Sequence, residues 1–222
     1  MGAREDRRRR AREARQAAER EAARTAARRR LVAVAAGIAA ILVLAVGSAA
    51  LLLRDGGEEG LTPAPIPAPR TSDLDTAVRL AGAERTSHPY AFGINQHTTS
   101  RVDYPTNPPT NGPHAPRPAP DGSYAGLPAP PTGEVVHAQE HGRIVFQYRP
   151  GLPRETLRQL VALYEESPAH VLLVENATGM PCDVAATAWG QGLLCPRVTP
   201  RTFDALRAFR DAFRDRGPEL VP

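Results

Sequence analysis

A small two-layer α+β or α/β extracytoplasmic domain with a long proline-rich loop region, preceded by one transmembrane helix, is the fold class this sequence predicts. Three observations carry it: an uncharged apolar run at 31–53, a Pro/Gly/Asn-rich stretch at 88–132, and after that short apolar strands alternating with amphipathic helices. The implied organisation is a basic tail at 1–30, the span at 31–53, a Pro/Gly-rich linker at 54–72 and a folded domain at 73–222.

Residues 1–30 hold 12 arginines against five carboxylates (Glu5, Asp6, Glu13, Glu19 and Glu21), whereas 16 arginines and 19 carboxylates follow. The net charge of +4 therefore belongs to the tail, and the slightly acidic remainder argues against a nucleic-acid partner. At about 1.5 Å per residue, the 23 uncharged residues of 31–53 can cross a hydrocarbon core of about 30 Å. Arg28, Arg29 and Arg30 abut the start of the run, while Arg54, Asp55, Glu58 and Glu59 follow it. That arginine bias predicts a cell-membrane protein with a cytoplasmic N-terminus and an extracytoplasmic C-terminal domain. A cleaved export signal is the rival, since Gly47-Ser48-Ala49-Ala50 offers small residues and Arg28-Arg29-Arg30 stands before the apolar run. Against cleavage, the run continues through Leu51, Leu52 and Leu53. The tail itself reads as an Ala/Arg/Glu helix without an apolar stripe, either a topology signal or a segment drawn to anionic headgroups.

The elements follow in order. Thr62-Pro63-Ala64-Pro65-Ile66-Pro67-Ala68-Pro69 reads as a polyproline-like spacer holding the domain off the bilayer. Leu74, Ala77, Val78 and Ala81 at helical spacing predict a short helix over 73–83, capped by Thr71 or Ser72. Seven prolines between Pro105 and Pro120 preclude helix and ordinary strand, and a loop of this length in a small domain is either disordered or functional. Its interspersed Tyr90, Phe92, His97, Tyr104, His114 and Tyr124 favour function. Residues 143–148 then read as a strand, and Pro153 opens a helix with Leu157, Leu160, Val161 and Tyr164 on one face. Strands are predicted at 170–174, 184–189 and 192–198, the last two joined at Gly190-Gln191. Thr199 and Pro200 start a final helix that buries Phe203, Leu206, Phe209 and Phe213 and stops at Gly217-Pro218. The order is thioredoxin-like, but no Cys-x-x-Cys pair supports redox chemistry.

Candidate chemistry centres on histidine. His137 and His141 bracket Glu140 in His-Ala-Gln-Glu-His-Gly. If this segment is a helical turn ended by Gly142, the two rings share a face and can grip one metal; if it is a strand, four residues hold them roughly 13 Å apart. The bland alternative is that the histidines brace the loop through backbone carbonyls. Ordering so long a loop costs about 1–2 kcal/mol per residue, and a copper or zinc ion on His97, His114, His137 and His141, with Glu140 beside them, would supply the stabilisation. Aromatic packing by Tyr90, Phe92, Tyr104 and Tyr124 is the competing source. Cys182 and Cys195 are the only cysteines, and outside a membrane they predict one disulfide. Met180-Pro181-Cys182 also admits a soft copper site. Trp189 reads as a core anchor beneath the loop, and Asn176-Ala177-Thr178 as a sequon without significance in a chain of bacterial composition. No nucleophile motif or phosphate-binding glycine loop is present.

Four motifs occur together: Pro108-Pro109-Thr110-Asn111-Gly112-Pro113-His114, Gly122-Ser123-Tyr124, Val136-His137-Ala138-Gln139-Glu140-His141-Gly142 and Thr187-Ala188-Trp189-Gly190. In this combination, over 83–219, the sequence resembles the bacterial, often actinobacterial, membrane-anchored domain-of-unknown-function family 3105. Asn111 and Ala138-Gln139 depart from that family's usual Ser and Ser-Leu. The resemblance implies location and architecture and raises the importance of His114, His137, Glu140 and His141, without an activity. Three functions stay open: a metal-binding module, a tethered structural or interaction domain with an envelope protein as partner, and a metal-assisted hydrolase with Glu140 as general base.

Overall fold

The computed structural model describes residues 61–88 and 96–219. The expected tail and membrane span, and Tyr90 and Phe92, lie outside the described residues. Among the described residues no helix is long and apolar enough to cross a membrane.

The described residues form a mixed α+β domain with four helices and six strands. These are α1 (Leu74–Ala81), β1 (Glu84–Ser87), β2 (Gly122–Ser123), α2 (Thr132–Glu140), β3 (Ile144–Tyr148), α3 (Arg154–Glu165), β4 (Val171–Glu175), β5 (Val184–Ala188), β6 (Gln191–Cys195) and α4 (Thr202–Phe213). The strands make one sheet in the order β1-β6-β5-β3-β4-β2. β3 and β4 run parallel, joined by α3, and β5 returns antiparallel to β3 before turning into β6. The hairpin turn is Trp189-Gly190, one residue earlier than expected, and Gly190 takes it with φ 69°.

The sheet is covered on both faces, so the domain has three layers where the sequence predicted two. On one face Ile144, Phe146, Leu173, Val184, Ala186 and Leu193 pack against Leu160 and Leu163 of α3, Phe203, Leu206 and Phe209 of α4, and Ala77 of α1. On the other, Val145, Leu172 and Val174 pack against Val135 and Ala138 of α2. All five residues of β3 and of β5 are buried, which is the pattern of a strand covered twice.

Several boundaries differ for local reasons. Asp73, not Thr71 or Ser72, caps α1, its carboxylate accepting from Thr76 N at 2.9 Å. α4 begins at Thr202, because Thr199 Oγ1 accepts from Arg201 N and holds a turn ahead of the helix. β6 ends at Cys195, where Pro196 removes the next donor. The strand β1 was hidden by its polar sequence, Glu-Arg-Thr-Ser, which suits a sheet edge. Residues 62–66, read as a spacer, lie along α3: Ala64 N donates to Arg158 O, Arg158 Nε to Thr62 O and Gln159 Nε2 to Pro65 O, and Ala64 is buried.

The expected disulfide is not formed, and Cys182 and Cys195 are both buried free thiols. The two side chains pack in different clusters. Cys195 stands opposite Val184 and joins it in the core beneath α4, whereas Cys182 packs with Met180 and Ala185, neighbours of the other face. Burial pushes the Cys182 thiol up to about 11 and the Cys195 thiol up to about 12.

Candidate metal centre

Of the two conformations open to 135–141, the chain takes the helix. α2 ends in a backbone cap: Gly142, at φ 81°, donates its N–H to Gln139 O, and Arg143 N–H reaches Ala138 O. His137, Glu140 and His141 therefore lie on neighbouring turns of one face. The proline-rich segment supplies the rest. A short parallel bridge aligns His97 with His114, His114 N donating to Gln96 O at 3.0 Å and Thr98 N to His114 O at 2.7 Å.

The segment is held chiefly by hydrogen bonds. Ala115 N and Ala119 N donate to Gly133 O and Glu134 O at the start of α2, Gln139 Nε2 donates to Pro109 O, and Gly190 N donates to Thr110 O. Tyr104 OH donates to Pro113 O at 2.7 Å, and burial pushes that phenol up to about 12, so it stays protonated. Asn176 Nδ2 joins the segment to the sheet by donating to Asn107 Oδ1 and Gln147 Oε1. Of the four aromatics proposed to pin the loop, Tyr124 packs on the α2 side of the sheet and Tyr104 acts through its hydroxyl.

These contacts gather five of the predicted residues. His97, His114, His137 and Glu140 bring one ligand atom each within 4.8 Å of the others, and His137, His141 and Glu219 do the same. His114 and Glu140 are fully buried, and His97 is exposed at the rim. Backbone carbonyls set the tautomers. His114 Nδ1 lies 2.8 Å from Gly112 O and His137 Nδ1 lies 2.7 Å from Ala115 O; an oxygen there can only accept, so both Nδ1 atoms carry the proton. Each Nε2 is left with its lone pair directed inward, the arrangement that an outer carbonyl imposes on a ligating histidine.

His114 Nε2 stands 3.0 Å from Glu140 Oε2 without hydrogen-bond alignment, and His137 Nε2 stands 3.0 Å from His141 Nε2. Two ligands on one tetrahedral zinc, each at about 2.0–2.1 Å, are ~3.3 Å apart, so these spacings fit shared coordination. Burial, chiefly, lowers the pKa of His137, with the neighbouring His114, His141 and His97 adding to it against the Ala115 carbonyl, which favours the neutral ligating form. Trp189, 7% exposed, sets its ring edge-on to His114 and closes the site from the sheet. Met180 and Cys182 form a separate cluster, so the soft-copper set is not assembled with these histidines.

Glu219 was missed by sequence reasoning. Following Gly217-Pro218, it looked like the tail of a finished helix; the structure folds that tail back on α2, with Glu219 N donating to Glu140 O and Glu219 Oε2 lying 3.1 Å from His141 Nε2.

A family model matches residues 95–220, which include every member of this cluster. The chain belongs to the DUF3105 family. That family is described as protein of unknown function. No curated protein and no solved structure matches the chain. A cleft of about 860 Å³ opens beside His114, between Thr98–Asn107 on one side and Thr132 and Gly133 of the DUF3105 domain's α2 on the other.

Proposed function

We propose that this DUF3105 domain is a metal-binding module, held outside the cell membrane by the apolar run 31–53, that carries a transition-metal ion on His97, His114, His137 and Glu140. The observation that carries the reading is the buried approach of His114 Nε2 to Glu140 Oε2 at 3.0 Å, with the His114 proton already committed to Gly112 O on the other ring nitrogen. Two electron-pair donors held this close at zero exposure repel unless a cation or a proton lies with them. A ligand nitrogen of His137 lies within 4.8 Å of both. Three imidazoles and one carboxylate suit zinc or cupric copper better than cuprous copper. The anchor rests on the sequence alone, the 23 uncharged residues and the arginine bias around them.

The test is elemental analysis of the full chain, purified without a histidine tag. Zinc or copper at stoichiometric amount is expected, chelator should lower the melting temperature, and His114→Gln and His137→Gln should each lose the tightly held ion. A wild-type chain without metal that gains no stability from added zinc or copper would leave the tethered interaction domain, binding an envelope protein, as the better reading. The cleft beside His114 favours metal-assisted hydrolysis as a second reading; Glu140, fully buried against His114, would hold the ion rather than act as general base, and the ion would supply the Lewis acidity that such hydrolysis needs. Turnover of chromogenic esters that disappears with the metal would support it.

A further inference from the structure

We propose that His137, His141 and Glu219 form a second cation position beside the first, so that the fully loaded domain holds two divalent ions. The inference rests on the metal-binding reading above and adds to it.

The argument is a count of protons. His141 Nε2 lies 3.0 Å from His137 Nε2 and 3.1 Å from Glu219 Oε2. His137 has its proton on Nδ1, toward Ala115 O, so its Nε2 can only accept, and an ionised Glu219 carboxylate can only accept. His141 Nε2 carries at most one hydrogen and can satisfy one of the two. The third group is then left at close range without a hydrogen of its own to accept. A cation at the centre satisfies all three, and the three atoms lie within 4.8 Å of one another.

The chain is built to bring Glu219 there. Gly142 and Gly217 let the backbone after α4 pass against the end of α2: a Cβ on Gly217 would collide with the Glu140 carbonyl and Gly142 N, and one on Gly142 would come within 2.9 Å of Asp215 Cα. Asp215 N donates to Gly142 O at 2.9 Å and Glu219 N to Glu140 O at 3.1 Å, fixing the tail beside His141. His141 and Glu219 are each part-exposed, with side chains 11% and 30% accessible, so this position meets solvent while His114 and Glu140 do not.

The single lone pair of His137 couples the two positions. One ion alone takes His137 with His97, His114 and Glu140; a second ion takes His137 for itself and leaves three ligands to the first. The second equivalent is therefore weaker.

Equilibrium dialysis of the full chain against zinc should show two equivalents, the second weaker by at least about tenfold, or ~1.4 kcal/mol. Glu219→Gln and His141→Gln should each remove the weaker equivalent and keep the tighter one. Glu219→Gln retains the backbone bond to Glu140, so its fold is unaffected, which an unchanged circular dichroism spectrum verifies. His114→Gln should abolish the tight class and leave one equivalent on the His137 set. A wild-type stoichiometry of one, or a tight equivalent weakened by Glu219→Gln, overturns the second position while leaving the first intact. A wild-type stoichiometry of zero removes the first reading, and the second with it.

Discussion

Replacing Gly217 by alanine tests the contact on which the outer half of the centre depends. The added Cβ would collide with the carbonyl of Glu140 and with the amide of Gly142. Those are backbone atoms at the capped end of a helix and cannot step aside as a side chain does. The cheaper response is for the tail to lift away, which breaks the hydrogen bonds from Asp215 N to Gly142 O and from Glu219 N to Glu140 O. At about 1 kcal/mol net for each bond, the loss is about 2 kcal/mol. For a domain of this size that lowers the melting temperature by about 4–8 °C. The lifted tail also takes Glu219 from His141 and frees the backbone on either side of Arg216, whose side chain is already exposed. Thermal unfolding of the full chain, with trypsin cleavage after Arg216 followed by mass spectrometry, reads both effects. Gly122→Ala is the control, because its Cβ would meet only the Tyr124 ring, at an ordinary 3.6 Å. If Gly217→Ala melts with the wild type and Arg216 is cut no faster, the tail does not pack on α2 and the reasoning fails.

Cys182 and Cys195 should resist iodoacetamide at pH 8 in the folded chain and react fully in urea, because burial keeps both thiols protonated; a cross-linked peptide in unreduced protein would contradict the free thiols seen here. Their folded values, about 11 and about 12, stand above the ordinary thiol value of 9.0, so their contribution to stability is complete below pH 9 and is lost as pH rises from there toward the folded values. Relative to its own neutral-pH stability, Cys195→Ser should therefore lose less stability at alkaline pH than wild type; an identical alkaline limb in wild type and variant would refute the assignment. Asn176→Ala removes bonds to Asn107 and Gln147 and acceptors for Thr178, costing about 2–3 kcal/mol and loosening the proline-rich segment, so trypsin should cut after Arg101 faster than in wild type. Unchanged cleavage there would mean that the segment is held by other bonds.

Much of the sheet was legible because its signals are local. Pro153 and the stripe from Leu157 to Tyr164 marked α3, and the runs at 143–148 and 170–174 marked β3 and β4, since apolar periodicity records which face is buried. β1 and β2 carry no such record: one is polar at an edge, and the other is two residues long and defined only by its parallel pairing with β4. The docking of 62–66 on α3 was equally silent, because polyproline-like sequence looks the same in solvent as against a helix.

The candidate site divides the same way. Histidine type, the spacing of His137 and His141 and the stop at Gly142 are local properties, and they stated that a helical turn would align two imidazoles. Whether the segment became that turn depended on Val135 and Ala138 finding Val145, Leu172 and Val174 across the sheet. The meeting of His97 with His114 and the return of Glu219 to His141 join residues far apart in the chain. The missing disulfide has the same origin, for thirteen positions of sequence separation allow a bond, whereas the folded chain packs the two thiols in different clusters. By itself the sequence determined the residue chemistry, the helix and strand periods and the order of the core elements, because these depend on neighbours a few positions away. Only the tertiary structure decided which side chains face one another, because that depends on register, on a second layer covering the sheet, and on glycines that let two backbones touch.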